Sequence, residues 1–112
     1  MSDFHELGNV VLEELSSEVA KVGSSAAFTC KVREGRNILF SWTKDGLVLK
    51  RSDRIEIASS RRSSMLSIDF VQVSDRGKYT CIASDNVSED RSNADLTVEG
   101  ILVFFLLTMD LS

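Results

Sequence analysis

Proline is absent from the sequence, histidine occurs once and cysteine twice, and each shortage excludes something. Without proline, none of the chain's apolar runs is disqualified as a central strand. Two thiols and the lone imidazole of His5 fall short of the four ligands of a structural zinc site. The sequence also lacks G-x-S-x-G, H-E-x-x-H, phosphate-loop and C-x-x-C motifs. Because a cysteine–histidine pair would have to use His5, we expect no enzyme, no metal site and no cofactor.

An excess of basic residues and a long apolar run are lacking as well. The 112 residues carry a net charge of −4, which argues against a nucleic-acid partner because phosphate binding needs a basic surface. The longest apolar run, Ile101–Leu107, has seven residues, whereas a membrane span needs about 20. The acidic N-terminal stretch has no apolar signal-peptide core. We therefore interpret the chain as a fragment of a larger protein, or as a cytoplasmic domain with reduced cysteines.

Short runs with alternating apolar and polar residues occupy the middle of the chain. Such alternation is typical of strands with one buried face, and turn residues such as "KDG", "SDRG" and "SDNVSED" separate the runs. The runs predict an all-β antiparallel sandwich of two sheets over residues 10–99. The residues predicted to point inward are Ala26, Phe28, Cys30 and Val32; Ile38, Phe40 and Trp42; Leu66, Ile68 and Phe70; Tyr79, Cys81 and Ala83; and Ala94, Leu96 and Val98.

The two ends of the chain differ from this middle part. Residues 1–9 are expected to be frayed or disordered, and "NVVLEEL", which begins at Asn9, is expected to form a ragged first strand. Residues 100–112 form an apolar tail. We interpret the tail as a linker, the stub of a truncated segment, or sequence that is foreign to the domain.

Two cysteines, a tryptophan and a tyrosine stand in the alternating runs at regular spacing. Trp42 follows Cys30 by 12 positions, and Tyr79 precedes Cys81 by two. A disulfide between the cysteines would close a loop of 51 positions, which is worth roughly 4 kcal/mol in the chain-entropy model. It would also indicate an oxidising compartment. The hydroxyl of an inward Tyr79 needs a partner, which the backbone of the turn "SDRG" can supply.

These residues lie in "FTCKV", "FSWTKDG", "RIEI", "SMLSIDFVQVSDRGKYTCIAS" and "ADLTV", which together resemble the immunoglobulin superfamily. The intermediate type, the I-set, fits best, because the cysteines are too close for a full extra hairpin and "VAKVGSS" can add a short edge strand. The wording is most similar to arthropod proteins related to the Down syndrome cell adhesion molecule. The resemblance implies an inter-sheet Cys30–Cys81 disulfide and a core around Trp42, Leu66 and Tyr79.

Arg54, Asp75 and Asn86 carry two further predictions. Asp75 stands in the turn before Tyr79, and Arg54 is the candidate cation for a structural ion pair with it. Asn86-Val87-Ser88 matches the N-glycosylation sequon in a predicted surface turn. We interpret Asn86 as a usable glycosylation site, although a chance triplet is the alternative.

Charge is distributed unevenly along the sequence. Residues 1–20 carry five acids and no Lys or Arg, and residues 85–99 carry five acids and one arginine. The pattern is typical of a solvated surface, or of poles that steer a self-complementary contact. The basic residues of the middle part are Lys44, Lys50, Arg51, Arg54, Arg61 and Arg62.

The family resemblance implies function. It predicts a recognition or adhesion module, part of a larger extracellular or membrane-anchored glycoprotein, that binds protein partners, including copies of itself, through strand faces or edges. The alternative is an intracellular spacer module of a giant muscle filament protein with reduced cysteines. A soluble receptor-like fragment is a third hypothesis. Neither a nucleic acid nor a small-molecule substrate is expected.

Overall fold

The structure, a computed structural model, describes residues 9–100. Several of its strands alternate buried and exposed residues. Along β3, for example, every second side chain from Ala26 to Val32 is buried. A short 3-10 helix, Val73–Asp75, precedes β8. Among the described residues the strands are β1 (Val11–Leu12), β2 (Glu18–Lys21), β3 (Ala26–Glu34), β4 (Leu39–Lys44), β5 (Leu47–Val48), β6 (Ile55–Ser59), β7 (Ser63–Ile68), β8 (Gly77–Ser84) and β9 (Glu89–Glu99).

The strands form two sheets packed face to face. One sheet has the order β1-β3-β7-β6, and the other has the order β2-β9-β8-β4-β5. The predicted all-β sandwich of two sheets is therefore confirmed. One pairing departs from an antiparallel arrangement, because β2 runs parallel to β9. The N-terminal segment pairs first with β3 and then crosses to the other sheet, which brings β2 alongside the last strand in the same direction.

The core lies between the sheets and takes most of the residues predicted to point inward. Phe40 and Val98 are half-buried at its margin. No helix within residues 9–100 is both long and apolar enough to cross a membrane. The buried apolar residues are Val10, Leu12, Leu15, Ala20, Ala26, Phe28, Cys30, Val32, Ile38, Trp42, Leu66, Ile68, Val71, Tyr79, Cys81, Ala83, Ala94 and Leu96.

Phe70 corrects one prediction. The alternation placed it inward after Leu66 and Ile68, but β7 ends at Ile68 and Phe70 is 72% exposed with a φ of 51°. The chain turns here because the Asp69 amide donates to the Arg54 carbonyl. Val71, whose amide donates to Ser24, occupies the buried place instead.

Side-chain oxygens accept hydrogen bonds from the backbone amides along the edge of the N-terminal segment. Three backbone amides in and around β1 donate across the sandwich to side chains in and just before β9, and no backbone ladder joins the two segments. The pairs are Val10 to Ser88 Oγ at 3.1 Å, Leu12 to Asp90 Oδ2 at 2.8 Å and Leu15 to Ser92 Oγ at 2.7 Å. These amides are therefore not offered to a further strand, which protects the edge against unwanted pairing.

The predictions for the chain ends concern residues 1–9 and 100–112. Apart from Asn9 and Gly100, these residues lie outside the described part of the chain, and so does His5. The predictions for the chain ends therefore remain predictions.

Candidate functional site

The centre of the sandwich holds the disulfide. Cys30 on β3 and Cys81 on β8 are bonded across the two sheets with their Cα atoms 6.3 Å apart, and both are fully buried. The inter-sheet disulfide is thus confirmed. A thiol that is bonded and buried cannot serve as a nucleophile, because the reactive form is an accessible thiolate.

Trp42 lies next to the disulfide, directly opposite Cys81 in the β4–β8 register. Its indole Nε1 donates to Ser64 Oγ at 2.8 Å, and Ser64 Oγ also lies 2.8 Å from Ser59 Oγ. Sequence reasoning did not find this partner. The signal was present, because Ser64 stands in the inward register of Leu66, where a polar side chain needs a buried partner.

Tyr79 joins the core to the turn before β8. Its hydroxyl donates to the backbone carbonyl of Asp75, and its ring stacks on Phe28 with centroids 5.1 Å apart. Burial raises the pKa of the Tyr79 hydroxyl, because a phenolate would lose its solvation there. The hydroxyl therefore acts as a fixed donor that pins the turn, and offers no acid–base chemistry.

Arg54 and Asp75 form a two-pronged ion pair beneath this turn. Arg54 Nη1 lies 2.9 Å from Asp75 Oδ2, and Nη2 lies 3.0 Å from Oδ1. The Gln72 amide donates to the same carboxylate at 2.7 Å. Burial alone would raise the pKa of Asp75, but the hydrogen bonds from Arg54 and Gln72 and the nearby positive charges hold that pKa below its usual value.

Gly77 completes the turn at a position that no other residue fits easily. Its φ is 151°, and a Cβ there would lie 2.6 Å from the Asp45 carboxylate. Asp45 itself accepts from the Lys78 amide at 3.0 Å. That hydrogen bond, with the nearby charge of Lys44, holds the pKa of Asp45 below its usual value. The stretch Asp75–Cys81 is therefore structural at each of its key positions.

The outer side of the five-stranded sheet is the candidate binding surface, called here the β4–β8 face. Its exposed or half-buried outward residues include Leu39, Ser41, Thr43, Val48, Lys78 and Ile82, whereas Thr80 points the same way but is buried. Leu39 is 75% exposed and Val48 67%. On the β9 side, the Arg91–Glu89 ion pair, with 2.8 Å between Nε and Oε2, borders the face. An apolar strip with a charged rim is the usual composition of a protein interface.

The outer side of the four-stranded sheet is different. Met65 is its one large apolar side chain among the described residues, and it is 43% exposed. Its cross-strand neighbours Thr29 and Ala58 are small, as are Ala27 and Ser67 beside them. This face therefore offers less apolar area to a partner than the β4–β8 face does.

The basic residues of the middle part do not form one surface. Arg54 pairs with Asp75, and Lys44 donates to the Ser74 carbonyl at 2.9 Å. Arg61 and Arg62 lie beyond the far end of β6, a strand of five residues and thus about 17 Å long. The expected basic region is therefore divided between the two ends of the sandwich.

Asn86 lies exposed at the tip of the turn between β8 and β9. Asp85 Oδ1 accepts from the amides of Val87 and Ser88, each at 2.7 Å, and holds the turn. The side chain is thus accessible to a transferase, and glycosylation of Asn86 stays a prediction. Nowhere in residues 9–100 do three His, Cys, Asp or Glu side chains converge into a metal site.

The comparison with protein families identifies the fold. Residues 9–98 match the immunoglobulin I-set domain. The chain belongs to this family. Domains of this family are in general not catalytic, and function in the sandwich lies in its surfaces.

Relatives of this I-set domain include very long proteins. It is 35% identical over 79 residues to hemicentin-1 of Mus musculus and 32% identical over 92 residues to the muscle M-line assembly protein unc-89 of Caenorhabditis elegans. These matches cover 70% and 78% of the chain but only 1% of each relative. The M1 domain from titin shares the fold with a TM-score of 0.77 at 24% identity, covering 84% of the chain and 98% of that domain.

Proposed function

We propose that this I-set domain is a recognition or adhesion module of a cell-surface or extracellular protein and acts by protein–protein contact. The observation that carries the proposal is the buried Cys30–Cys81 disulfide, because such bonds persist in oxidising compartments and are rare in the cytosol. The exposed sequon at Asn86 supports the same location. The proposal includes the hypothesis that the parent protein is similar to arthropod proteins related to the Down syndrome cell adhesion molecule.

The β4–β8 face is the surface that we assign to the partner. Burying a side chain such as Leu39 against a partner is worth about 1.5–3 kcal/mol, which is roughly a 10- to 150-fold change in the dissociation constant. The rim carries both signs of charge in Arg91 and Glu89, so it can face a second copy of itself across a two-fold axis. The proposal therefore includes homophilic binding.

Counting free thiols tests the compartment. In protein isolated from its natural source and denatured without reductant, we expect no free thiol and a glycan on Asn86. Two free thiols together with an unmodified Asn86 would contradict the cell-surface proposal.

Two charge substitutions on opposite faces test the surface. We expect Leu39→Asp to abolish self-association in sedimentation velocity, because it places a carboxylate in the apolar strip. Met65→Asp, the matched control on the four-stranded sheet, should leave self-association unchanged. If the wild-type chain stays monomeric at millimolar concentration, homophilic binding is wrong.

An intracellular spacer in a muscle filament protein is the second candidate function. The likeness to the muscle M-line assembly protein unc-89 and to a titin domain favours it. In that role Cys30 and Cys81 would be reduced in the cell, and the domain would need only stability and short connections at its ends. The thiol count therefore separates the two candidates.

A further inference from the structure

The sequon Asn86-Val87-Ser88 lies at one end of the β4–β8 face. Asn86 stands two residues beyond Ser84, the last residue of β8, and Ser84 is the register partner of Leu39 at the start of β4. Partners in an antiparallel pair have Cα atoms about 5 Å apart, and each further residue adds at most about 3.6 Å. The Cα atom of Asn86 therefore lies within roughly 13 Å of the Cα atom of Leu39.

Apolar side chains lie at the same end of the face. Leu39 is 75% exposed, and Val87, the middle residue of the sequon, is 69% exposed. Ile82 occupies the next outward position along β8 and is half-buried. The end of the β4–β8 face nearest to Asn86 thus offers apolar surface to a partner, and the same surface can pack against the C–H faces of sugar rings.

Hydrogen bonds hold the turn that carries Asn86. The Asp85 amide donates to the Ser88 carbonyl at 3.0 Å, and Asp85 Oδ1 accepts from the amides of Val87 and Ser88. Ser88 Oγ accepts from the Val10 amide at 3.1 Å, which ties the turn to the N-terminal segment. A glycan on Asn86 is therefore attached to an ordered part of the fold, and its first sugar stays close to the end of the β4–β8 face.

We infer that an N-glycan on Asn86 regulates self-association by covering the Leu39 end of the β4–β8 face. When the glycan is attached, Asn86 Nδ2 loses one proton and bonds to C1 of the first sugar, while the lipid diphosphate that carried the glycan leaves. A two-fold contact uses the same patch on both copies, so each dimer would have to displace two such bulky groups. Losing the burial of Leu39 alone corresponds to roughly a tenfold or larger rise in the dissociation constant. The inference rests on the proposed function, which supplies both the glycan and the self-contact.

The β6–β7 turn offers a matched position on the other sheet. It lies at the same end of the sandwich, because Ser63 pairs with Lys31 near the end of β3, and the β3–β4 loop leads from there to Leu39. Arg61→Asn creates an Asn-Arg-Ser sequon in this turn together with Arg62 and Ser63. A glycan at this position is attached to the four-stranded sheet, and packed sheets lie about 10 Å apart. It therefore adds the same bulk on the side away from the β4–β8 face.

The test compares glycoforms of the whole disulfide-intact chain, produced in the secretory pathway of a eukaryotic host, by sedimentation equilibrium. We expect the dissociation constant for self-association to be at least tenfold higher with the glycan on Asn86 than in Asn86→Gln, which carries none. The matched control, Asn86→Gln/Arg61→Asn, moves the glycan to the β6–β7 turn and should stay within threefold of Asn86→Gln. Mass spectrometry verifies which sequon is occupied, and a urea unfolding curve verifies that each variant is folded.

Several outcomes would overturn the inference. Equal dissociation constants for the glycosylated wild type and Asn86→Gln would overturn it alone and leave homophilic binding in place. An equal loss of affinity with the glycan on either turn would mean that glycan bulk matters and its position does not. An unmodified Asn86 in the secreted chain would also contradict it. If Asn86→Gln stays monomeric at millimolar concentration, homophilic binding and this inference fail together.

Discussion

The two ends of the sandwich use arginine in opposite ways. At one end Arg54 donates to the carboxylate of Asp75, which is 8% exposed, so its charge is matched inside the protein. At the other end Arg62 donates only to carbonyls, so its charge is fixed but unmatched. The number of hydrogen bonds is similar at both ends, but the charge of the acceptor differs. Arginine matched by a carboxylate has its charge neutralised inside the protein, whereas arginine held by carbonyls keeps its full positive charge at the surface.

Removing the matched carboxylate should have the largest effect on stability. Asp75→Ala leaves Arg54 without its partner and the Gln72 amide without its acceptor. We expect the free energy of unfolding to fall by about 3 kcal/mol, measured by urea denaturation with the disulfide intact. Asp53→Ala at an exposed position is the control and should cost less than about 0.5 kcal/mol. An equal, small loss in both variants would mean that the ion pair does not stabilise this end.

Acid should produce part of the same loss. Because the pKa of Asp75 is lower in the folded chain than in the unfolded one, its contribution is fully present above the unfolded value of about 4. That contribution is lost as the pH falls through the folded pKa. Between pH 7 and pH 2, the free energy of unfolding should therefore fall more steeply with falling pH in the wild type than in Asp75→Asn. Identical slopes would contradict the lowered pKa.

Tyr79→Phe should have an intermediate effect. It removes the hydroxyl that donates to the Asp75 carbonyl and keeps the ring on Phe28. We expect a loss of about 1 kcal/mol in the free energy of unfolding. In the double variant Asp75→Ala/Tyr79→Phe the losses should not add, since both act on one turn. Strict additivity would show that the two contacts are independent.

Substitution of Arg61 at the other end should hardly change stability. Arg61→Ala should alter the free energy of unfolding by less than about 0.5 kcal/mol, because the side chain is exposed. A larger loss, measured by the same urea titration, would mean that Arg61 is part of the scaffold. The comparison between the two ends would then be wrong.

The scaffold could be predicted because its signals are local. Period-two alternation fixes which side of a strand is buried, so the positions of Cys30, Trp42 and Cys81 followed from their neighbours. The end of β7 could not be predicted from its neighbours in sequence. It depends on the hydrogen bonds from Asp69 to Arg54 and from Val71 to Ser24, which turn the chain at Phe70.

The candidate surfaces could not be predicted from the sequence, for a related reason. Arg54 and Arg61 are close in sequence, but a full strand separates them in space. Arg36 and Arg61 are distant in sequence, but the sandwich brings their loops together around one cavity. Sequence distance is a poor guide to a surface in a fold whose neighbouring strands are mostly not consecutive.

The side-chain contacts of the N-terminal segment have a consequence for the order of assembly during synthesis. The amides of Val10, Leu12 and Leu15 wait for acceptors 77 or 78 positions further along the chain. A ribosome must therefore make almost the whole domain before these three amides can meet their acceptors, although β1 can pair with β3 earlier. Cys81, the partner of Cys30, also precedes Ser88, Asp90 and Ser92 in the chain. The last strand therefore completes the contacts of the first segment.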